Sequence, residues 1–487
     1  MISFFIAIGL LLIGYLVYSR IIEKIIEVDK ERETPAIRLR DGVDYVPLPW
    51  YKVLLIQLLN ITGLGPIFGA IAGALWGPVS FIWIVFGNIF GGAVHDFLSA
   101  MLSIRMDGRS LPNIIENTLG NFLKQLVLIF TLLLMILVGA VFIVGPAEIL
   151  VNTFNLKLNL NFFNTLLDLK LEFIFWVSLI FIYYFIATLL PIDKVIGRIY
   201  PFFGFFLFFM ALSILFMMII KGYKIPEVFT NLKNNHYKGS EMPIFPMMFI
   251  SIACGAISGF HATQSPIMAK CITNEKYARR VFYGAMIIEG VIALIWAAIS
   301  MSFFGSIEDL NKIVGIERKS AAYIVNLISN TLLGKFGAIL AIIGVVIAPI
   351  TSGDTAFRSA RLIIADFFKI PQNKIINRLS ITIFLFLFGF FLTQIDYGIL
   401  WRYMAWSNQS LATITLWAIT IYLVKEKKFY LITLLPSLFM TYVVLTYFFF
   451  APETLSMPYN ISLILGFIGT FFTFLAFVYY KKNISNG

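Results

Sequence analysis

Apolar residues in this chain come in long unbroken runs, separated by short charged stretches. Half-buried helices or strands would show a periodic alternation instead. A run of about 20 apolar residues is the length of helix that crosses a bilayer. On this pattern helices are predicted over 2–19, 49–76, 78–104, 121–145, 172–190 and 196–220, and then over 244–270, 280–304, 334–366, 374–393, 398–424, 429–450 and 460–480. A charged segment at 20–48 and a lysine-bearing loop at 221–243 separate the blocks. A membrane β-barrel would alternate with period two over short segments and is excluded. Two of the runs are interrupted, by NITGLGPIFGAIAG at 60–73 and within FISIACGAISGFHATQSPIMAKC at 249–271.

Composition agrees with the pattern. Hydrophobic residues make up 60% and charged residues 13% of the chain, and the mean hydropathy is +0.89, outside the range of a water-soluble domain. The formal charge of +11 reflects basic residues at helix ends, which set membrane orientation, and no nucleic-acid partner is expected. Alternate connections carry Arg105 and Arg109, Lys194 and Arg198, Lys276, Arg279 and Arg280, Arg358 to Arg378, Lys425 to Lys428, and Lys481 and Lys482. This places the N-terminus outside and the C-terminus inside. No Lys or Arg precedes Arg20, so the first run is read as a retained helix rather than a secretory signal. Cys254 and Cys271 lie toward opposite ends of one predicted helix, too far apart for a disulfide, and read as packing residues.

With the first helix and the last two set aside, ten helices divide into five and five, each set opening on an interrupted helix. The predicted units are 1–48, a first repeat 49–220, an outer loop 221–243, a second repeat 244–424 and two further helices in 425–487. Five being odd, the second repeat runs inverted to the first, the layout of many secondary transporters, whose substrates bind against broken helices near the midplane. In the first break the half-helix 49–61 is expected to stop near Thr62 to Gly65 and another to start near Pro66. Free N–H groups of Ile67, Phe68 and Gly69 would then suit an anion, and carbonyls of Ile61 and Thr62 a cation. Gly63, Gly65, Pro66, Ile67 and Phe68 are the candidate substrate contacts from this side.

The second break offers Gly255, Ser258, Gly259, His261 and Gln264. A titratable group at membrane depth is a functional candidate by default, which brings in His261, His95, Asp96 and Glu289 as ion-coupling residues. A third polar island, APITSGDTAFRSAR at 348–361, supplies Thr351, Ser352 and Asp354, with Arg358 one turn on. The stretch LWRYMAWSNQSLA at 400–412 adds Trp401, Trp406, Asn408 and Gln409 as candidate cavity-lining or gating groups.

Taken together, DGVDYVP, GPIFGAIAG, GAVHDFLS, RMDGRSL, IACGAISGFHATQSP, GDTAFRSAR and WSNQ resemble the carbon starvation protein A (CstA) family of bacterial transporters, over roughly residues 40–425. The resemblance implies import of peptides, or of pyruvate with protons, across the bacterial cytoplasmic membrane. The first break also resembles the Asn-x-x-Gly-x-Gly pattern of neurotransmitter–sodium symporters, matched by Asn60, Gly63 and Gly65. That second likeness implies sodium at Thr351 and Ser352. Many longer relatives carry a His-His pair where this chain has Ile56 and Gln57, which moves the coupling role to another group and makes sodium coupling more plausible. The expected protein is therefore a proton- or sodium-coupled importer in a five-plus-five inverted-repeat membrane fold, without a cofactor. The alternative is a nutrient-binding membrane sensor or a channel. No H-E-x-x-H, G-x-S-x-G or P-loop sequence is present, so enzymatic or ATP-driven chemistry is not expected.

Overall fold

The computed structural model describes residues 1–42, 44–154, 165–189, 192–372 and 374–486, with side chains for all but 152, 153, 165–170, 189, 192–199, 338, 341, 342 and 484–486. Lys194 and Arg198, named above for orientation, therefore fall outside the described side chains. Every named element among the described residues is helical. Nine helices there are long and apolar enough to cross a membrane, and ten if the bent pair Trp50–Thr62 and Gly65–Ala74 counts as one span. Three further predicted spans fall short of that standard: 244–270, 334–366 and 398–424. Each of these carries one of the polar islands picked out above.

Helix ends depart from the sequence pattern where amphipathic stretches extend the apolar runs. The first helix continues through SRIIEKII to Ile26, with Ile22 and Ile26 buried and Arg20 exposed. The connection after Arg105 contains a further helix, Leu111–Leu119, with Pro112 in its first turn, a position where the missing N–H is not needed. The expected span 334–366 is found as one helical run over 335–368, with a π-helical stretch at Ile342–Ile347. A kink at Gly334, whose φ is +61°, joins it to a preceding helical segment that starts at Ala321, before the predicted span. Its last part, Ala348–Phe368, holds the polar island.

Both predicted interruptions are real breaks of the backbone ladder. The first half-helix ends at Thr62, and Gly63 turns the chain with φ +39° and ψ −133°, a conformation that side chains with a Cβ rarely adopt. The chain then re-enters a helix at Gly65 and bends by 54°. In the second interrupted helix a short turn ends at Ser251, residues 252–258 are non-helical, and Gly259–Ala269 forms the second half. The two breaks touch: a Cβ built on Gly65 would overlap the Cβ and Sγ of Cys254. Cys254 and Cys271 are both buried free thiols, one inside the unwound segment and one beyond the end of the half-helix.

Candidate functional site

An unwound segment at membrane depth must find partners for its backbone groups within the protein. Around the second break those partners are side chains from distant helices. The Trp83 indole N–H donates to the Ile252 carbonyl at 3.2 Å. Asn88 Nδ2 donates to the Gly255 carbonyl at 3.1 Å and to the Met286 carbonyl at 2.8 Å. The second half-helix is capped from outside: Asn408 Oδ1 accepts from the Phe260 N–H at 2.6 Å and lies 3.1 Å from Ser258 Oγ. This cross-helix cap does the work that an N-cap side chain usually does for its own helix. Asn408, expected to contact substrate or gate a cavity, is thus tied to the backbone of the break.

Behind this scaffold four titratable side chains converge, all fully buried: His95, Asp96, His261 and Glu289. One Asp96 oxygen lies 2.8 Å from His95 Nδ1 and the other 2.9 Å from His261 Nδ1. With Nδ1 donating to the carboxylate, each ring presents Nε2 on its far side. His261 Nε2 stands 3.7 Å from Glu289 Oε2, and neither it nor either Glu289 oxygen has a hydrogen-bond partner. A buried charge is tolerated only when paired, and here two carboxylates face two imidazoles. His95 and Asp96 lie in the first turn after a π-helical stretch, Gly87–Gly92, an irregularity that frequently marks functional sites in helices. Cys254, read from sequence as a packing residue, joins the cluster: its Sγ, the His261 ring nitrogen and a Glu289 oxygen lie within 4.8 Å of one another.

The first break is arranged differently from the expectation. The N–H groups of Ile67 and Phe68 both donate to the Leu64 carbonyl, at 3.2 and 2.8 Å. They are satisfied locally rather than left facing a gap, because the chain re-enters through a tight turn as soon as it leaves Gly63. Pro66 and Gly65 sit against the second break. Thr62 Oγ1 bonds back to the Leu58 carbonyl at 2.7 Å, beside Ile61 at the closing turn of this half-helix. The Phe68 ring packs 6.2 Å from Trp401 and 6.4 Å from Tyr397.

The third island reaches the first break through Ser352, whose Oγ donates to the Leu59 carbonyl at 2.9 Å. Thr351 Oγ1 is bonded to the Ala348 carbonyl at 2.7 Å. Asp354 is held by Tyr200 Oη at 3.0 Å and by Arg358 at 4.0 Å. Gln264 Nε2 reaches Thr263 Oγ1 at 3.0 Å and Ser359 Oγ at 3.4 Å, leaving Oε1 without a partner. Near Thr263 a small cavity of about 40 Å³ is lined by Ser110, Lys270, Ser359 and Asp366, among others. Trp406 turns away from the breaks: it stacks on Phe448 and donates to the Val444 carbonyl at 3.3 Å. Two positions separate Trp406 from Asn408, and residues so spaced point to nearly opposite sides of a helix. Gln57, Asn60 and Gln409 are buried with both amide atoms unpartnered.

Comparison with known proteins places this geometry in context. The chain matches the family model described as carbon starvation protein CstA over residues 1–167 and 161–334. An uncharacterized membrane protein of Haemophilus influenzae is 40% identical over 62% of this chain and 91% of its own length. The peptide transporter CstA of Helicobacter pylori is 31% identical over 58% of this chain and 48% of its own. The pyruvate/proton symporter BtsT of Escherichia coli is 26% identical over 59% of this chain and 47% of its own, so alignment with these two named transporters spans about half of their length. Among solved structures, a crystal structure of the Eremococcus coleocola manganese transporter superposes with a TM-score of 0.52 at 12% identity, covering 92% of this chain and 98% of that one. This is a likeness of fold between helical membrane proteins. The chain belongs to the carbon starvation protein CstA family.

Proposed function

We propose that this protein is a secondary active importer of peptides or small carboxylates such as pyruvate, driven by a proton or sodium gradient across the bacterial cytoplasmic membrane. Its core is read as two inverted five-helix repeats, 49–220 and 244–424, with the N-terminus outside and the C-terminus inside. The observation that carries this reading is the direct contact of two broken helices, Gly65 against Cys254, beside a buried cluster of Asp96, Glu289, His95 and His261. A carrier needs a site between two packed bodies and buried charges on which an ion can act. The contact of the two breaks and the buried charges beside them support such a site at the second break. The names of the relatives, a peptide transporter and a pyruvate/proton symporter, support the substrate classes. The unpartnered amides of Asn60 and Gln409 are suited to peptide or carboxylate groups.

The test is uptake of labelled pyruvate and of labelled di- and tripeptides into chelator-treated proteoliposomes, under imposed pH or sodium gradients. One class is expected to accumulate, to saturate and to show counterflow. Uptake indifferent to both gradients removes the coupling, and conduction without saturation turns the reading to a channel. Binding without any movement turns it to a sensor. Glu289→Gln and Asp354→Asn then separate the two buried acidic sites: the one that couples is expected to lose at least about tenfold in gradient-driven uptake, equivalent to about 1.4 kcal/mol.

A further inference from the structure

We infer that Cys254, His261 and Glu289 form a binding site for a divalent transition metal, Zn²⁺ or Co²⁺ in type, that staples the second break shut. The three side chains come from three elements: the unwound stretch 252–258, the half-helix Gly259–Ala269 and the helix Glu275–Phe303. Their thiol, imidazole and carboxylate atoms lie within 4.8 Å of one another, and all three residues are buried. Tetrahedral zinc with bonds of about 2.0–2.3 Å sets its ligand atoms roughly 3–4 Å apart. Side-chain adjustments of about an ångström therefore bring this set to bonding distance.

What separates the site from ordinary packing is its unpartnered atoms. His261 Nε2 and both Glu289 oxygens are buried without a hydrogen-bond partner. Such groups carry a desolvation penalty in any protein, and one cation between them would satisfy His261 Nε2 and one oxygen of the Glu289 carboxylate. The surroundings are those of a ligating histidine. Asp96 accepts from His261 Nδ1 at 2.9 Å, which fixes the tautomer that leaves Nε2 as the ligand atom and raises its basicity. The second Asp96 oxygen is itself held by His95 at 2.8 Å. Ser258 Oγ at 3.7 Å and Asn408 Nδ2 at 3.8 Å lie beside the Cys254 sulfur, where they suit a thiolate.

Thiolate with imidazole and carboxylate selects borderline-soft ions such as Zn²⁺ and Co²⁺ over the hard ions Mg²⁺ and Ca²⁺. Three protein ligands leave the fourth tetrahedral position to a water or an anion. Because the ligands span the unwound segment and two helices, an ion there fixes the break against Glu289. Micromolar Zn²⁺ is then expected to inhibit transport by holding one conformation. The inhibition rests on the importer reading, whereas metal binding itself does not and is tested separately from transport, which is measured with metal chelated.

The experiment uses the full-length chain, purified with chelator and titrated with Co²⁺. The expected result is one Co²⁺ per chain, with the near-ultraviolet thiolate-to-cobalt charge-transfer band and the intense visible bands of a tetrahedral site. Cys254→Ser is expected to remove the thiolate band and Cys271→Ser to retain it. Glu289→Gln is expected to weaken binding at least tenfold. Monodispersity and metal-free melting of each variant establish that the fold persists. Absence of the thiolate band from the wild-type protein overturns the proposal without reference to any variant. So does its persistence in Cys254→Ser.

Discussion

Gly65 is the residue on which the closed arrangement of the two breaks turns. Its missing side chain lets the first broken helix rest against the Cβ and Sγ of Cys254, so Gly65→Ala forces either the break or the Cys254 backbone to move. Overpacking of this kind costs about 1–3 kcal/mol. The variant is expected to melt several degrees lower in detergent, and Cys254→Gly in the same chain is expected to recover part of the loss. No recovery would mean that Gly65 matters for backbone freedom rather than for this contact. His236, in the loop 221–243, offers a test in pH. Its ring packs 4.4 Å from Trp76, and its Nδ1 accepts from the Lys238 N–H at 3.2 Å. Burial, with the Lys238 charge adding to it, holds its pKa down at about 4. An unfolded histidine titrates near 6.5, so between about pH 6.5 and 4 the unfolded chain takes up a proton that the folded one refuses. Stability is expected to be full above about 6.5 and to fall as pH drops toward 4. His236→Gln should flatten that slope in a series of melting curves, and an unchanged slope would assign the pH dependence to other groups.

The half-helix Gly259–Ala269 shows what the sequence could and could not disclose about this site. Its existence, and the loosening before it, were legible because Gly255, Ser258 and Gly259 interrupt an apolar run at membrane depth. The same reasoning located the first break from Gly63, Gly65 and Pro66, and it assigned the long helices from run length alone. The groups that satisfy the freed backbone were not legible in that way. Trp83, Asn88 and Asn408 lie about 150 residues or more away in the chain, and local periodicity carries no information on such pairings. The reading of Cys254 as a packing residue agrees with its burial against Gly65, but its nearness to His261 and Glu289 is visible only in three dimensions. The spacing of Cys254, four residues before Ser258 and seven before His261, was the available hint. The cap itself is testable. Asn408→Ala removes the acceptor of the Phe260 N–H and the partner of Ser258, a loss of about 1–2 kcal/mol by analogy with N-cap deletions. Asn408→Asp keeps the acceptor oxygen and should retain more of the stability. If the two variants melt alike, the capping bond is not what Asn408 contributes.

The two helices that carry Asp96 and Glu289 are clamped at one shared end. Arg105 ends the helix bearing Asp96, and Glu275 begins the helix bearing Glu289. They pair at 3.3 Å, with the Glu275 side chain fully buried. Arg32 reaches Glu275 at 3.3 Å and the Asp29 N–H donates to the Glu275 carboxylate at 3.0 Å, while Arg105 also donates to the Ile26 and Glu27 carbonyls. At about 1.5 Å per residue, Arg105 lies roughly 14 Å along its helix from Asp96, close enough to hold the second break closed from one side. Removing one partner of a buried ion pair strands the other charges and strongly destabilises the arrangement that holds them. On the importer reading, Glu275→Gln should therefore raise the population of a state in which the two breaks part. Cys254 reports on that state, being 3% exposed while Gly65 covers it. In a Cys271→Ser background treated with chelator, a small maleimide is expected to modify Cys254 slowly, and about tenfold faster with Glu275→Gln, a shift of about 1.4 kcal/mol in the opening equilibrium. Added substrate should change the rate in both chains. If Cys254 reacts only when the protein is heated to unfolding, and neither substrate nor Glu275→Gln alters this, the contact between the breaks is a permanent core and alternating access at this site is wrong.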